Sequence, residues 1–312
     1  MVYHTVYVLE GGGAKGPLHV GESEVLEQKL GHKLIDFIDL FVTTSIGGVE
    51  ASVYSTGLMW VSDFWKLLEP NLKDIFTPKY PWSIPRYDWK KYLELYRKYV
   101  SSAIRFGEAR KDFMFTTVNM VDGTNHFVKS WHKDYADWKM PEIVHRTFAA
   151  TFYFGCIYDS VKKAIWGDGG TGFFNLPLIE AYTQILTNGW LETGHHTHIL
   201  ALGTGRKKYE INYDKEAKKG PVRKTAFEVK RFLSKDDGGM ARAVSAKTQI
   251  NTMKKLIKGH KGRLSFQWVD WFPMPKKLDK MDNWKARWDY YNKGKELGET
   301  IDLEYFQKKL KK

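Results

Sequence analysis

The sequence is short of cysteine, of long apolar runs and of targeting signals. Its 312 residues include one cysteine, Cys156, so no disulfide can form within the chain, and we expect a reducing compartment. The longest apolar stretch almost free of charge, residues 147–158, falls short of the roughly 18 residues of a membrane-spanning helix. The N-terminus has no basic segment followed by an apolar run, which argues against a signal peptide. We therefore expect a cytoplasmic protein that meets membranes only peripherally.

Negative charge is scarce in the C-terminal third of the chain. The net charge is +13, and residues 206–312 hold 29 Lys and Arg against 14 Asp and Glu. Such a block suits nucleic acid, an anionic membrane surface or plain solubility, and composition does not choose among them. No nucleic-acid motif accompanies it, so we do not expect a nucleic-acid partner. We expect a globular domain over residues 1–275 and a basic, helical tail over residues 276–312.

Strand and helix patterns alternate along the chain. TVYVL is followed by glycines and a helix closed near Gly31, and LIDFIDLFV is a second strand-like run followed by a turn and a small-residue helix. Such alternation predicts an α/β fold: a mostly parallel central sheet flanked by helices, with sites at the carboxyl ends of strands. Three glycine-rich turns, at residues 10–16, 43–48 and 167–172, are expected at that edge.

The turn VTTSIGG resembles a G-x-S-x-G nucleophile elbow with Thr43 in place of the first glycine. Ser45 lies between an apolar strand and a small-residue helix, where an elbow would expose its hydroxyl. A serine at this point also suits an ordinary helix N-cap. The pentapeptide alone leaves both interpretations open.

The stretch EGGGAKG follows a strand and precedes a helix, so its amides could converge on an anion. An oxyanion or a phosphate would fit, but the P-loop spacing is absent. A dinucleotide fingerprint fits only formally, through Gly11, Gly13 and Gly16, and lacks the expected acid at the end of the second strand.

The turn GDGG places one carboxylate, Asp168, among glycines at the end of an apolar strand. By itself this pattern is also that of a common turn aspartate. Together, however, EGGGAKG, TTSIG and DGG resemble the motifs of the patatin-like phospholipases, in that family's order. RTFAATFYF, NLPLIEA and ALGTG add to the resemblance, which spans roughly residues 5–205 and continues more faintly to about residue 270.

The resemblance implies a single patatin-like α/β domain with a basic C-terminal extension and a Ser-Asp dyad. Ser45 would be the nucleophile, Asp168 its base, and the amides of Gly11, Gly12 and Gly13 the oxyanion hole. The other motif positions are Lys15, Gly16, Gly47, Gly169 and Gly170. Such a dyad requires no histidine, metal or cofactor.

The implied activity is that of a phospholipase A-type serine hydrolase, which cleaves fatty-acyl esters of membrane phospholipids through an acyl-enzyme. The basic C-terminal third, including the lysines of residues 308–312, would hold it on an anionic membrane. The alternative is a catalytically weak or inactive protein of the same fold that binds anionic lipid or a partner.

Three departures from the family pattern stand out. Glu10 replaces the usual Asp before the glycines, Thr43 is expected to crowd the elbow, and AATFYF lacks the usual proline. Elsewhere, HHTH (residues 195–198) suits solvated loop histidines better than a metal site, since no further ligands cluster with it. Trp82, Trp268 and Trp271 suit either packing or a lipid interface.

Overall fold

The computed structural model describes residues 1–80, 82–100, 103–171, 174–207 and 239–311. It confirms the predicted α/β fold with a mostly parallel central sheet flanked by helices. The strands are β1 (Val2–Leu9), β2 (Leu40–Thr44), β3 (Asp112–Asn119), β4 (Thr124–Lys129), β5 (Ile157–Asp159), β6 (Ala164–Asp168), β7 (His195–Leu202) and β8 (Leu264–Val269). The helices are α1 (Pro17–Leu30), α2 (Leu34–Phe37), α3 (Ile46–Tyr54), α4 (Val61–Ile75), α5 (Trp89–Tyr99), α6 (Lys133–Ala136), α7 (Met140–Val144), α8 (Leu178–Thr187), α9 (Gly239–Gly259), α10 (Arg287–Gly298) and α11 (Glu304–Leu310).

The sheet is covered on both faces because successive apolar residues of its central strands point to opposite sides. In β1, Tyr7 and Leu9 belong to the core formed with α3, α4 and α5, whereas Val6 and Val8 belong to the core under α8 and α9. Strands β3, β2, β1, β7 and β8 run parallel in that spatial order. Their carboxyl ends therefore meet at one edge, which we call the carboxyl edge.

On one side, strand β3 pairs with two different strands in succession. Strand β4 runs antiparallel along one side of it, while β2 pairs with residues 112–116 and β6 with residues 117–119 on the other. Strand β6 also runs antiparallel to β3. Strands β2 and β6 thus approach each other end to end, and this junction corrects the expectation that the turn at residues 167–172 follows a parallel strand.

Two local predictions were wrong. LIDF forms one helical turn, α2, because carboxylates of Asp36 and Glu27 accept the amides of Lys33 and Leu34 at its start. The histidines of HHTH lie within β7 rather than in a loop, since β1 and β8 pair with that strand on its two sides.

The C-terminal helices pack on the α/β core. Gly294 of α10 and Gly21 of α1 lie where a Cβ atom would come 2.1 Å from the carbonyl oxygen of Leu18 and 2.2 Å from that of Tyr291. The domain boundary at residue 275 stays a prediction, and residues 208–238 of the basic block lie outside the described residues. No helix in the described part of the chain is long and apolar enough to span a bilayer.

Candidate active site

Ser45 lies at a strained turn between β2 and α3. Its φ is 54° and its ψ is −122°, values that cost a non-glycine residue about 1–3 kcal/mol. The turn is held because the Ser45 amide donates to Thr147 Oγ1 at 2.8 Å. Gly47 lets α3 start directly against β1, since a Cβ there would lie 2.6 Å from Leu9 Cβ.

Thr43 does not crowd this turn. Its side chain is fully buried, and its hydroxyl donates to the carbonyl oxygen of Met114 on the neighbouring strand at 3.1 Å. The close contact between helix and strand falls at Gly47 instead. The expected crowding at Thr43 is therefore wrong.

Asp168 ends β6 directly opposite the elbow. Ser45 Oγ donates to Asp168 Oδ2 at 2.6 Å, and the Gly170 amide donates to Asp168 Oδ1 at 2.6 Å. The exposed fractions of Ser45 and Asp168 are 4% and 2%, so their contact is shielded from water. Gly169 sits where a Cβ would lie 2.0 Å from Thr116 Oγ1, which brings the DGG turn hard against β3.

The glycine loop lies beside Ser45, but its three amides are not equivalent. The Gly11 amide donates to the carbonyl oxygen of Asn175 at 3.0 Å, so the expectation that it serves an oxyanion is corrected. The amides of Gly12 and Gly13 donate no hydrogen bond to any acceptor among the described residues. Gly13 has φ +59° and lines the pocket that contains Ser45.

The loop is braced by residues that lie far from it in the sequence. Glu10 accepts the Thr204 amide at 3.2 Å and the Asn175 side chain at 3.3 Å. The Ala14 amide donates to the carbonyl oxygen of Met281 at 2.7 Å. These contacts fix the loop, so the longer side chain of Glu10 still anchors it.

Lys15 is turned into the protein. Only 5% of the residue is exposed, and Nζ donates to Asp279 Oδ1 at 3.0 Å and to the carbonyl oxygen of Gly205 at 3.1 Å. It braces the loop through the C-terminal segment.

Gly16 begins α1 beneath the elbow, where a Cβ would lie 2.6 Å from Glu50 Oε1. Glu50 is fully buried and accepts from, or shares a proton with, His19 Nδ1 at 2.9 Å. Burial raises the pKa of Glu50, and His19 offsets part of that rise. This pair is packed behind the site and outside its pocket.

Ser45 and Asp168 line a pocket whose walls are almost entirely apolar. The apolar lining includes Val49, Leu68, Leu72, Ile75, Phe76, Phe148, Phe154 and Met281. A second, smaller apolar cavity between α3, α4 and α5 shares the lining residues Val49, Leu68 and Tyr92 with it.

Three positions in the site were not singled out from the sequence. Thr147 and Asn175 lie within RTFAATFYF and NLPLIEA, so the motifs contained a signal for them. Met281 had none, because its role depends on a contact with a loop at the other end of the chain. In the described ranges, no three His, Cys, Asp or Glu side chains gather as a metal site.

Comparisons with known proteins extend these observations. A family model described as "Patatin-like phospholipase" matches residues 7–246. Two curated relatives are named "cGAMP-activated phospholipase": one from Escherichia coli (strain TW11681) is 25% identical over 231 residues, and one from Vibrio cholerae serotype O1 is 26% identical over 231 residues. The matches cover 66% and 65% of this chain and 64% and 65% of the relatives, so the chain spans less than two thirds of their length.

Two solved structures show similarity at lower identity. VipD from Legionella pneumophila has a TM-score of 0.43 and 13% identity, covering 95% of this chain and 67% of its own. The ExoU-SpcU complex of Pseudomonas aeruginosa has a TM-score of 0.41 and 14% identity, covering 99% and 52%. Because the family model covers well over half of its residues, this chain belongs to the patatin-like phospholipase family.

Proposed function

We propose that the protein is a phospholipase A-type serine hydrolase that cleaves fatty-acyl esters of membrane phospholipids. The observation that carries the proposal is the 2.6 Å hydrogen bond from Ser45 Oγ to Asp168 at the apolar pocket. A hydroxyl becomes a useful nucleophile when an aligned base accepts its proton. Family membership supports the same chemistry.

In the proposed reaction, Ser45 Oγ attacks the ester carbonyl carbon while its proton passes to Asp168. The oxyanion of the tetrahedral intermediate binds the amides of Gly12 and Gly13, which have no acceptor among the described residues. Collapse breaks the ester C–O bond, and the lyso-product leaves with the proton from Asp168. Water, deprotonated by Asp168, then attacks the acyl-enzyme carbonyl; the bond from the acyl carbon to Ser45 Oγ breaks, Asp168 returns the proton to Oγ, and the fatty acid leaves.

The pocket supports a lipid substrate. Its apolar walls match a fatty-acyl chain, and burying each methylene contributes about 0.8 kcal/mol. Leu68 separates the pocket from a second apolar cavity that it also lines. A polar or charged acyl group would leave its polar atoms without partners there.

The test is hydrolysis of phosphatidylcholine and phosphatidylglycerol vesicles by wild type, Ser45→Ala and Asp168→Asn. Both variants should lose roughly 10³-fold or more in turnover, because one removes the nucleophile and the other the base. Ser62→Ala, outside the pocket, is the matched control and should keep wild-type activity. Unchanged turnover in both site variants contradicts the proposal.

The names of the two curated relatives suggest a second set of assays. We propose that cGAMP raises the activity of this protein too, so each assay is run with and without it. A fluorophosphonate probe separates the non-catalytic alternative, since covalent labelling requires an activated hydroxyl. Absence of Ser45-dependent labelling and of hydrolysis in both arms would favour a protein that only binds lipid or a partner.

A further inference from the structure

Large apolar side chains are exposed around the pocket mouth. Trp82 and Ile84 are each 79% exposed, and Phe152 is 60% exposed. Tyr80 is 55% exposed and stacks on Trp82 with ring centroids 6.3 Å apart. Exposed apolar side chains gathered in one area mark an interaction surface, whereas scattered ones do not.

The segments that carry these side chains also form the pocket wall. The Arg86 amide donates to the carbonyl oxygen of Phe152 at 3.0 Å, and the Tyr87 amide donates to that of Tyr153 at 2.7 Å. Tyr153 lines the pocket together with Ser45. A partner bound to these exposed side chains would therefore lie at the entrance to the pocket.

The apolar surface continues along the carboxyl edge. Met120 and Val121, in the turn after β3, are 48% and 61% exposed, while Tyr158 and Val161 of the β5–β6 hairpin are 80% and 88% exposed. Met120 Sδ lies 3.3 Å from Cys156 Sγ, which joins this turn to the segment that carries Phe152. We call the eight side chains the mouth rim: Tyr80, Trp82, Ile84, Met120, Val121, Phe152, Tyr158 and Val161.

Cations flank the mouth rim. Lys79, next to Tyr80, and Lys162, next to Val161, are exposed and form no ion pair within the described residues, whereas Arg86 pairs with Asp282. Aromatic and aliphatic side chains with nearby lysines match the interface of a bilayer, where rings lie at headgroup level and lysines near phosphates. Each such lysine contributes about 1 kcal/mol at an anionic surface.

The basic C-terminal tail lies elsewhere. Tyr305 of α11 donates to the carbonyl oxygen of His4 at 2.9 Å, near the amino end of β1 and at the opposite edge of the sheet. Lys309 pairs with Asp39, and Lys308 pairs with Glu304. A flat membrane bound to these lysines would lie at the opposite edge of the sheet from the pocket.

We infer that the mouth rim is the docking surface for an anionic lipid bilayer and that it places the pocket entrance against the substrate layer. This inference rests on the proposed function for its purpose, but its test does not require catalysis. Binding is measured on the Ser45→Ala protein by flotation with phosphatidylcholine vesicles, with and without phosphatidylglycerol.

The Trp82→Ser/Ile84→Ser double variant should bind mixed vesicles at least about 10-fold more weakly, because it removes two apolar anchors. Trp131→Ser is the matched control, since Trp131 is 42% exposed and follows β4 at the opposite edge. It should bind as Ser45→Ala does. Brominated lipids should quench fluorescence in Ser45→Ala more than in the double variant.

Equal binding by the double variant and Ser45→Ala overturns the inference. So does a concentration-dependent dimer that the double variant abolishes, because a second copy would then be the occupant. Hydrolysis of a short-chain, water-soluble ester separates the two proposals. When the rim substitutions are made in the protein that keeps Ser45, hydrolysis of the soluble ester should stay unchanged while hydrolysis of vesicles falls. If the wild type hydrolyses neither substrate, only the proposed function fails.

Discussion

At the scale of single residues, the elbow gains its tightness from Gly47 rather than from the position that Thr43 occupies. A methyl group at residue 47 would meet the backbone and Cβ of Leu9, neither of which can move without disturbing β1 and the glycine loop that follows it. The side chain of Thr43 instead ties β2 to β3. Residue 47 therefore affects the geometry of the elbow, whereas residue 43 affects the stability of the β2–β3 pairing.

Gly47→Ala should lower activity by at least about 10-fold and destabilise the fold by about 1–3 kcal/mol, since overpacking shifts Ser45 away from Asp168. Thr43→Gly should destabilise by about 1–3 kcal/mol through the lost hydrogen bond and added backbone freedom, yet keep the Ser45 contact and the activity of the folded fraction. Denaturant unfolding and turnover at low temperature measure both. Greater loss of activity in Thr43→Gly than in Gly47→Ala would contradict this account.

His198 should make the fold sensitive to acid. Burial lowers its pKa from 6.5 to about 4, so the unfolded chain takes up a proton first as the pH falls. The stability contribution is complete above pH 6.5 and is lost towards pH 4, amounting to about 2 kcal/mol by about pH 5. His198→Phe should flatten this dependence of the unfolding free energy, while replacing the exposed His32 with Gln should leave it unchanged.

At the scale of elements, helices α3, α4 and α5 shape the space behind Ser45. Leu68 of α4 lies in the wall shared by both cavities. A larger side chain at this position would fill part of the apolar space on either side of it. The length of this space should therefore set the preferred acyl chain.

Leu68→Trp should reduce hydrolysis of long-chain esters by roughly 10-fold while short-chain esters keep most of their rate, because only long chains reach past residue 68. Leu186→Trp on α8, an exposed position outside the two cavities, is the control. The measurement is kcat/KM against acyl length. An equal fall for every length would show that Leu68 affects folding instead of chain selection.

The sequence predicted much of this element order and the positions of Ser45 and Asp168, because strand, turn and motif signals are local or ordered along the chain. It could not predict that β6 runs antiparallel and ends against β2, since that register depends on pairing between distant strands. The hydrogen bonds of the Gly11 amide and of Lys15 were not predicted for the same reason. Their partners, Asn175 and Asp279, come from parts of the chain far from the glycine loop.

At the scale of the whole molecule, α10 is joined to α1 by backbone contact. Gly294→Ala should destabilise the protein by about 3 kcal/mol or more, because its Cβ would overlap the carbonyl oxygen of Leu18. Gly259→Ala, with no atom within 4 Å of the added Cβ, should be close to neutral. Thermal unfolding of both variants tests this, and similar midpoints would show that the helices separate easily.

The hydrogen bond from Ala14 to the carbonyl oxygen of Met281 makes the shape of the glycine loop depend on a segment that is translated later. The glycine loop, residues 11–13, is translated before the segment around Met281 that braces it. Nascent chains that still lack this segment should not hold the loop in its final shape. Under the proposed function, we therefore expect hydrolytic competence to arise only after residue 281 has been translated, which would protect nearby membranes from an incompletely folded chain.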